Sequence, residues 1–294
     1  MNPFGLHAMV LVSDWNRSGA ETAIPLAAGL GYDIIEVPLF DPAAVDLQHT
    51  RDLLRQHGVQ PSVSLGLTAE TDISSADRPV SRAGIDRLVA VVDATAFIGG
   101  RVVAGVIASA WQKYLAPGTE AGYANAVAGV REVAQAARAK GITLAVEVVN
   151  RFESNLLNTA AQARHFVDAV GEDNVGIHLD TFHMHIEEAD AAAAIRACGP
   201  RLRYFHVNEN HRGYVGAGSI DFPPIFRALA EAGYDGPIAF EAFSSATCTP
   251  SVAGRAAVWR SVFEDGEDVA RLALAYLRSG MANARRALAQ TRAP

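Results

Sequence analysis

Thr143-Leu-Ala-Val-Glu147-Val-Val149 is apolar but for one glutamate; Ala160–Val170 follows with helical spacing, then Val175-Gly-Ile-His-Leu-Asp180, a second short apolar run. Strands this continuously apolar are covered on both faces, which is the situation in a parallel sheet with helices outside it. Asn158-Thr159 stands where the intervening helix needs a side-chain acceptor for its first free N–H groups. One strand–helix–strand unit does not decide a fold, but its repetition does. Working outward in both directions, the same alternation gives candidate strands at Gly5–Val12, Asp33–Leu39, Ser62–Leu67, Val102–Ile107, Thr143–Val149, Val175–Asp180, Tyr204–Asn208 and Ile238–Phe243. Candidate helices lie between and after them, at Ala20–Leu30, Ala43–His57, Ser81–Ile98, Glu120–Lys140, Ala160–Val170, Ala189–Ala197, Pro223–Ala232 and Ser251–Leu277. Gly31, Gly58, Gly141 and Gly233 each follow a helical segment, where a C-cap takes φ > 0. Pro223-Pro224 sits in the first turn of another helix. Strict alternation of this kind predicts a closed (β/α)8 TIM barrel. The competing doubly wound sheet usually carries a Gly-rich GxGxxG after its first strand, and none follows strand one here.

Composition fits an enzyme with ample core: of 294 residues half are apolar and 19% charged, with a mean hydropathy of +0.11. A net charge of −7 argues against nucleic acid as a partner, because phosphate binding needs clustered Lys and Arg. The two cysteines, Cys198 and Cys248, have no metal-type spacing and suggest a reducing cytoplasm rather than a disulfide framework. The N-terminal stretch lacks a basic region and a cleavage site and reads as a first core strand, and no apolar run is long enough to span a membrane. No linker divides the chain, so residues 1–294 are expected to form one domain. The Ala- and Arg-rich end, from Met281, is expected to be a helix fraying into a tail used for packing or for an oligomer surface.

Barrel enzymes place their chemistry at the carboxyl ends of the strands. Strands five to eight carry Glu147, Asp180, His206 and Glu241 there, each inside an otherwise apolar stretch. A buried carboxylate costs several kcal/mol unless it is paired or bound to a metal. Without a cation the three carboxylates would repel and raise one another's pKa, and a divalent metal resolves the conflict. That donor set suits Mn²⁺, Co²⁺ or Mg²⁺ better than a thiolate-loving ion, with Zn²⁺ also compatible. Glu153, His183, Glu209 and Arg212 lie within a few residues of these positions and could bond a small polyhydroxylated ligand. Trp15 and Trp111, near the ends of strands one and four, could wall it.

Glu147-Val-Val-Asn150-Arg151-Phe152-Glu153, Leu179-Asp180-Thr181-Phe182-His183-Met184, Ile186-Glu187-Glu188 and the strand-eight Glu241 resemble the ketose 3-epimerases, the D-tagatose, D-allulose (psicose) and L-ribulose 3-epimerases of the xylose-isomerase-like superfamily. The resemblance runs from Gly5 to about Leu277. It implies that Glu147, Asp180, His206 and Glu241 bind one divalent metal, Mn²⁺ by preference, and that Glu147 and Glu241 are also the acid/base pair. It assigns Glu153, His183 and Arg212 to the O1–O3 end of the sugar, with Trp111 and His7 also at the substrate; the D-tagatose-type pattern has an aromatic residue where His7 stands here. The implied reaction is epimerisation of a free ketose at C3 through a cis-enediolate, in a homodimer or homotetramer. An aldose–ketose isomerase and an inosose-type dehydratase are the rival chemistries on such a barrel. A barrel endonuclease would need more metals, more histidines and a basic face. No Gly-rich phosphate loop follows strands seven or eight, which favours a free sugar over a sugar phosphate.

Overall fold

In the computed structural model, which describes residues 2–292, eight parallel strands close on themselves in sequence order: β1 Phe4–His7, β2 Ile34–Pro38, β3 Gln60–Leu67, β4 Val102–Ala110, β5 Thr143–Glu147, β6 Val175–Asp180, β7 Leu202–Val207 and β8 Ile238–Phe240. The TIM barrel read from the alternation is therefore the fold. Between and after the strands run α1 Arg17–Leu30, α2 Leu47–His57, α3 Arg78–Ile98, α4 Glu120–Arg138, α5 Ala160–Val170, α6 Thr181–Glu187, α7 Ala191–Cys198, α8 Phe222–Glu231, α9 Pro250–Arg255 and α10 Gly266–Arg292. The outward-facing strand residues Leu6, Ile35, Val63, Val103, Leu144, Ile177, Phe205 and Phe240 are all buried under this helical layer. The helices end as expected: Gly31, Gly58, Gly141 and Gly233 all have positive φ. Thr159 caps α5 in a reciprocal arrangement with Gln162. No helix among the described residues is long and apolar enough to cross a membrane.

Several boundaries differ from the sequence reading, and three of the differences have an identifiable cause. Strand one stops at His7 instead of Val12, because the imidazole accepts from the Met9 N–H and starts a 3-10 turn over Ala8–Val10. The single helix expected over Ser251–Leu277 is two, α9 and α10, since Ser244 ties the intervening segment down by accepting from the Val262 N–H and donating to the Phe263 carbonyl. The stretch from Met281 does not fray: it continues α10 to Arg292, and its last two residues lie outside those described. Gly280 packs on the Phe226 ring of α8, and Arg285 bonds Asn2 beside β1, so α10 completes the helix layer.

One irregularity positions the site. In β4, Gly105 has φ +110°, and a Cβ there would stand 2.1 Å from the Leu65 carbonyl oxygen, so only glycine fits. Beyond it the β3–β4 register shifts between Gly66 and Leu67, the effect of a bulge. The shift carries Trp111, whose N–H donates to the Leu67 carbonyl at 2.8 Å, onto the mouth of the barrel.

Candidate active site

Side chains alternate along a strand, so positions two apart share a face. His178 and Asp180 of β6, and Tyr204 and His206 of β7 followed by Asn208, therefore enter the barrel in successive layers. Glu147 ends β5 and Glu241 follows β8 directly. Their ligand atoms converge: Asp180, His206 and Glu241 lie within 4.8 Å of one another, as do Glu147, Asp180 and His183, and Glu147, His178 and His206. The overlap puts Asp180 and His206 at the centre, each joined to both glutamates.

Whether this cluster fits a cation can be judged from His206. Its Nε2 donates to Glu36 Oε2 at 2.8 Å, which turns Nδ1 toward the cluster. That Nδ1 is buried with no hydrogen-bond partner, 3.7 Å from Asp180 Oδ2 and 3.8 Å from Glu241 Oε1. An orphaned imidazole nitrogen facing two carboxylate oxygens, its far side oriented by a third carboxylate, is the arrangement of a metal-ligating histidine. The residues fit a divalent metal.

The electrostatics are those of charges crowded out of water. Burial raises Glu147, His206 lowers it, and Glu241 and Asp180 raise it again, leaving it well above the usual carboxylate range. Burial likewise works to raise Asp180, but His206, Arg212 and His183 outweigh it and hold it far below. Burial would lower His206; Glu36 and Glu241 reverse this and lift it well above the ordinary imidazole value. His178, behind the cluster, is pushed well down by burial and by His206 and stays neutral.

Arg212 donates to Glu241 Oε2 at 2.6 Å, and Asn208 donates both to that oxygen at 3.0 Å and to Asp180 Oδ2 at 2.7 Å. Arg212 holds φ +64°, a costly conformation for a residue with a side chain, and its guanidinium lies 3.9 Å over the Phe182 ring. His183 sits on α6 rather than at the end of strand six. Its Nδ1 accepts from the Asn150 backbone N–H at 3.2 Å and faces the Asn150 amide nitrogen at 2.8 Å. The Asn150 contacts place the ring proton on Nε2, which lies 3.8 Å from Glu147 Oε1 and 3.4 Å from the Arg212 guanidinium. Glu153 does not bond His183, from which it stands 4.0 Å away; Asn150 comes between, donating to Oε1 at 2.8 Å, and Trp111 Nε1 donates to Oε2 at 2.6 Å. His7 faces the same space, with Nε2 3.2 Å from Ser64 Oγ and 3.8 Å from Glu241 Oε1.

These groups enclose a cavity of about 50 Å³ bounded by His7, Glu147, Glu153, His183, His206, Arg212 and Glu241, with Trp111 and Phe243 as aromatic walls. Two residues singled out in the sequence lie elsewhere. Glu209 turns into its own loop, where it accepts from the N–H groups of Asn210, Gly216 and Ile220. Trp15 walls a neighbouring cavity. Conversely, Glu36 and Asn208 were passed over. Glu36 is flanked by Ile34, Ile35 and Val37, the same pattern that exposed Glu147, and Asn208 is two residues from His206 on the same face.

An α/β barrel with a carboxylate–imidazole cluster at the carboxyl ends of its strands defines a class of enzyme, and known proteins narrow it. The xylose isomerase-like TIM barrel family matches residues 24–279. A ketose 3-epimerase of Arthrobacter globiformis is 42% identical over 93% of this chain and 95% of its own. An L-ribulose 3-epimerase of Mesorhizobium japonicum is 40% identical over 97% and 96% of the two chains. The crystal structure of a Methylomonas D-allulose 3-epimerase in complex with D-allulose superposes with a TM-score of 0.93 at 41% identity, covering 95% of this chain and 96% of that one. The chain belongs to the xylose isomerase-like TIM barrel family and, within it, to the ketose 3-epimerases: it is an isomerase of the epimerase type.

Proposed function

We propose that this single barrel domain interconverts free ketoses epimeric at C3, using one divalent metal held by Glu147, Asp180, His206 and Glu241. Three carboxylates and one imidazole are a donor set for Mn²⁺, with Co²⁺ and Mg²⁺ next. When bound, the ion supplies Lewis-acid polarisation of the C2 carbonyl, which makes the adjacent C3–H acidic enough to remove.

The observation that carries the reading is the placement of the two glutamates. Inversion at C3 needs a proton removed on one face of the sugar and another delivered on the opposite face. Glu147 leaves β5 and Glu241 leaves β8, three strands apart around the closed barrel, and both reach the same Asp180–His206 pair. Each is base for one epimer and acid for the other, with an enediolate between the two transfers. His183 offers its Nε2–H to the O2 side, and Arg212, held between Glu241 and Phe182, adds fixed positive charge where negative charge develops. Arg212 and Asn208 both donate to Glu241 Oε2, which orients that carboxylate for the transfer. Asn150 and Trp111 fix Glu153, and Glu153 in turn is placed to accept from a substrate hydroxyl.

The test is chelator-stripped protein incubated with D-fructose, with and without added Mn²⁺. The expected product is D-allulose, formed only with the ion. Formation of an aldose instead would replace the reading with aldose–ketose isomerisation.

A further inference from the structure

Beside the reacting cavity lies a second one of about 260 Å³, against about 50 Å³ for the first. The two share Met9, Phe40, Leu65, Gly66 and Trp111 as a common boundary. That neck is apolar: the ionisable residues of the inner cavity, from His7 to Glu241, all lie on its far side. The neck is also tightly built, since a Cβ on Gly66 would stand 2.7 Å from the Trp111 Cβ. The outer cavity has a different lining. Trp15 and Trp111 give aromatic walls, and Thr68, Thr71, Thr249 and Ser251 line it together with the charged side chains of Asp14, Arg87 and Arg255. Aromatic faces with hydroxyl groups at the rim bind the apolar face and edge hydroxyls of a pyranose ring.

In the C3-epimerase reading a ketose is held by its O1–O3 end at Glu153, His183 and Arg212, which leaves C4–C6 to extend along the Trp111 wall into the neck. We propose that the outer cavity is a glycosyl subsite, and that this enzyme also epimerises ketoses carrying a sugar unit on O6. The inference rests on the C3-epimerase reading and specifies its substrate class. It predicts a regiochemical rule: a substituent on O6 passes through the neck into the outer cavity, whereas one on O1 meets the closed, ionisable end.

The experiment compares D-fructose with fructose glucosylated on O6 and fructose glucosylated on O1, following C3 epimerisation with Mn²⁺ present. The O6 compound is expected to be turned over with kcat/KM within about tenfold of free fructose, and the O1 compound at least about 100-fold more slowly. Ser251→Trp, an exposed position on the outer rim, should cut kcat/KM for the O6 compound by about tenfold while changing free fructose by less than about twofold. Turnover of fructose without turnover of the O6 compound overturns the subsite. So does equal use of the O1 compound, or an equal effect of Ser251→Trp on both substrates. Failure of fructose, D-allulose and the other free ketoses as well would instead overturn the epimerase reading on which the subsite depends.

Discussion

The two halves of the barrel divide the work unequally. Strands β5 to β8 deliver Glu147, Asp180, His206 and Glu241 to one cluster, with His178 and Asn208 around it. Strands β1 to β4 deliver His7, Leu65, Gly66 and Trp111, which wall the space in front of that cluster, and Glu36, which supports it from beneath. The later half holds charge where charge is costly; the earlier half shapes and orients. In a closed barrel the two face one another, so ligands from one side meet walls from the other without any large movement of the chain.

If that division is right, substitutions in the later half should act on the chemical step and those in the earlier half on affinity. The largest effect is expected for Glu241→Gln and Glu147→Gln: with saturating Mn²⁺, kcat should fall about 10³-fold or more, in line with the loss of a positioned acid/base group. Near-normal kcat in either variant would remove the two-carboxylate scheme. Next is the ion itself. Stripped protein should regain stability on adding Mn²⁺, by about 2.7 kcal/mol when the ion is at a hundred times its Kd, measured as a rise in melting temperature. No rise would mean that the cluster does not bind the ion.

Glu36 sharpens the comparison, because it lies on β2 yet acts on the cluster through His206. Its Oε2 also accepts from the Tyr204 hydroxyl at 2.7 Å. Glu36→Gln should weaken Mn²⁺ binding by about 10–100-fold in calorimetry, with the melting temperature of the ion-free protein much less affected. Unchanged ion affinity would reduce Glu36 to packing. The smallest effect belongs to Trp111→Phe, which keeps the wall and removes the donor to Glu153 Oε2. Loss of one hydrogen bond to a charged group predicts a rise in KM of about tenfold with kcat little changed. An equal fall in kcat would place Trp111 in the chemistry instead.

The same division explains what the sequence disclosed. A glutamate in Leu144-Ala-Val-Glu147-Val-Val or an aspartate in Val175-Gly-Ile-His-Leu-Asp180 is anomalous, because burial of a lone charge is costly, and the anomaly points to its use. Leu65, Gly66 and Met9 are what any strand or core contains, so nothing in the chain's letters marks them as the neck between two cavities. Glu36 is legible by the same rule as Glu147, but it precedes the strand's end by two residues, away from the carboxyl end where barrel chemistry is placed. The helix stops at Gly31 and Gly233 were readable from local backbone chemistry. The early end of β1 was not, because it depends on the His7 side chain turning back onto the Met9 N–H.

Two glutamates serving opposite faces of one carbon are the centre of the proposed chemistry, and isotope exchange separates them. Glu147→Gln and Glu241→Gln, each saturated with Mn²⁺, would be incubated in D₂O with D-fructose and separately with D-allulose, and deuterium at C3 read by NMR. The account predicts that each variant fails to epimerise but still exchanges the C3 proton of one epimer, the two variants acting on opposite epimers. Deuterium at C1, or exchange of the same epimer by both variants, would contradict it.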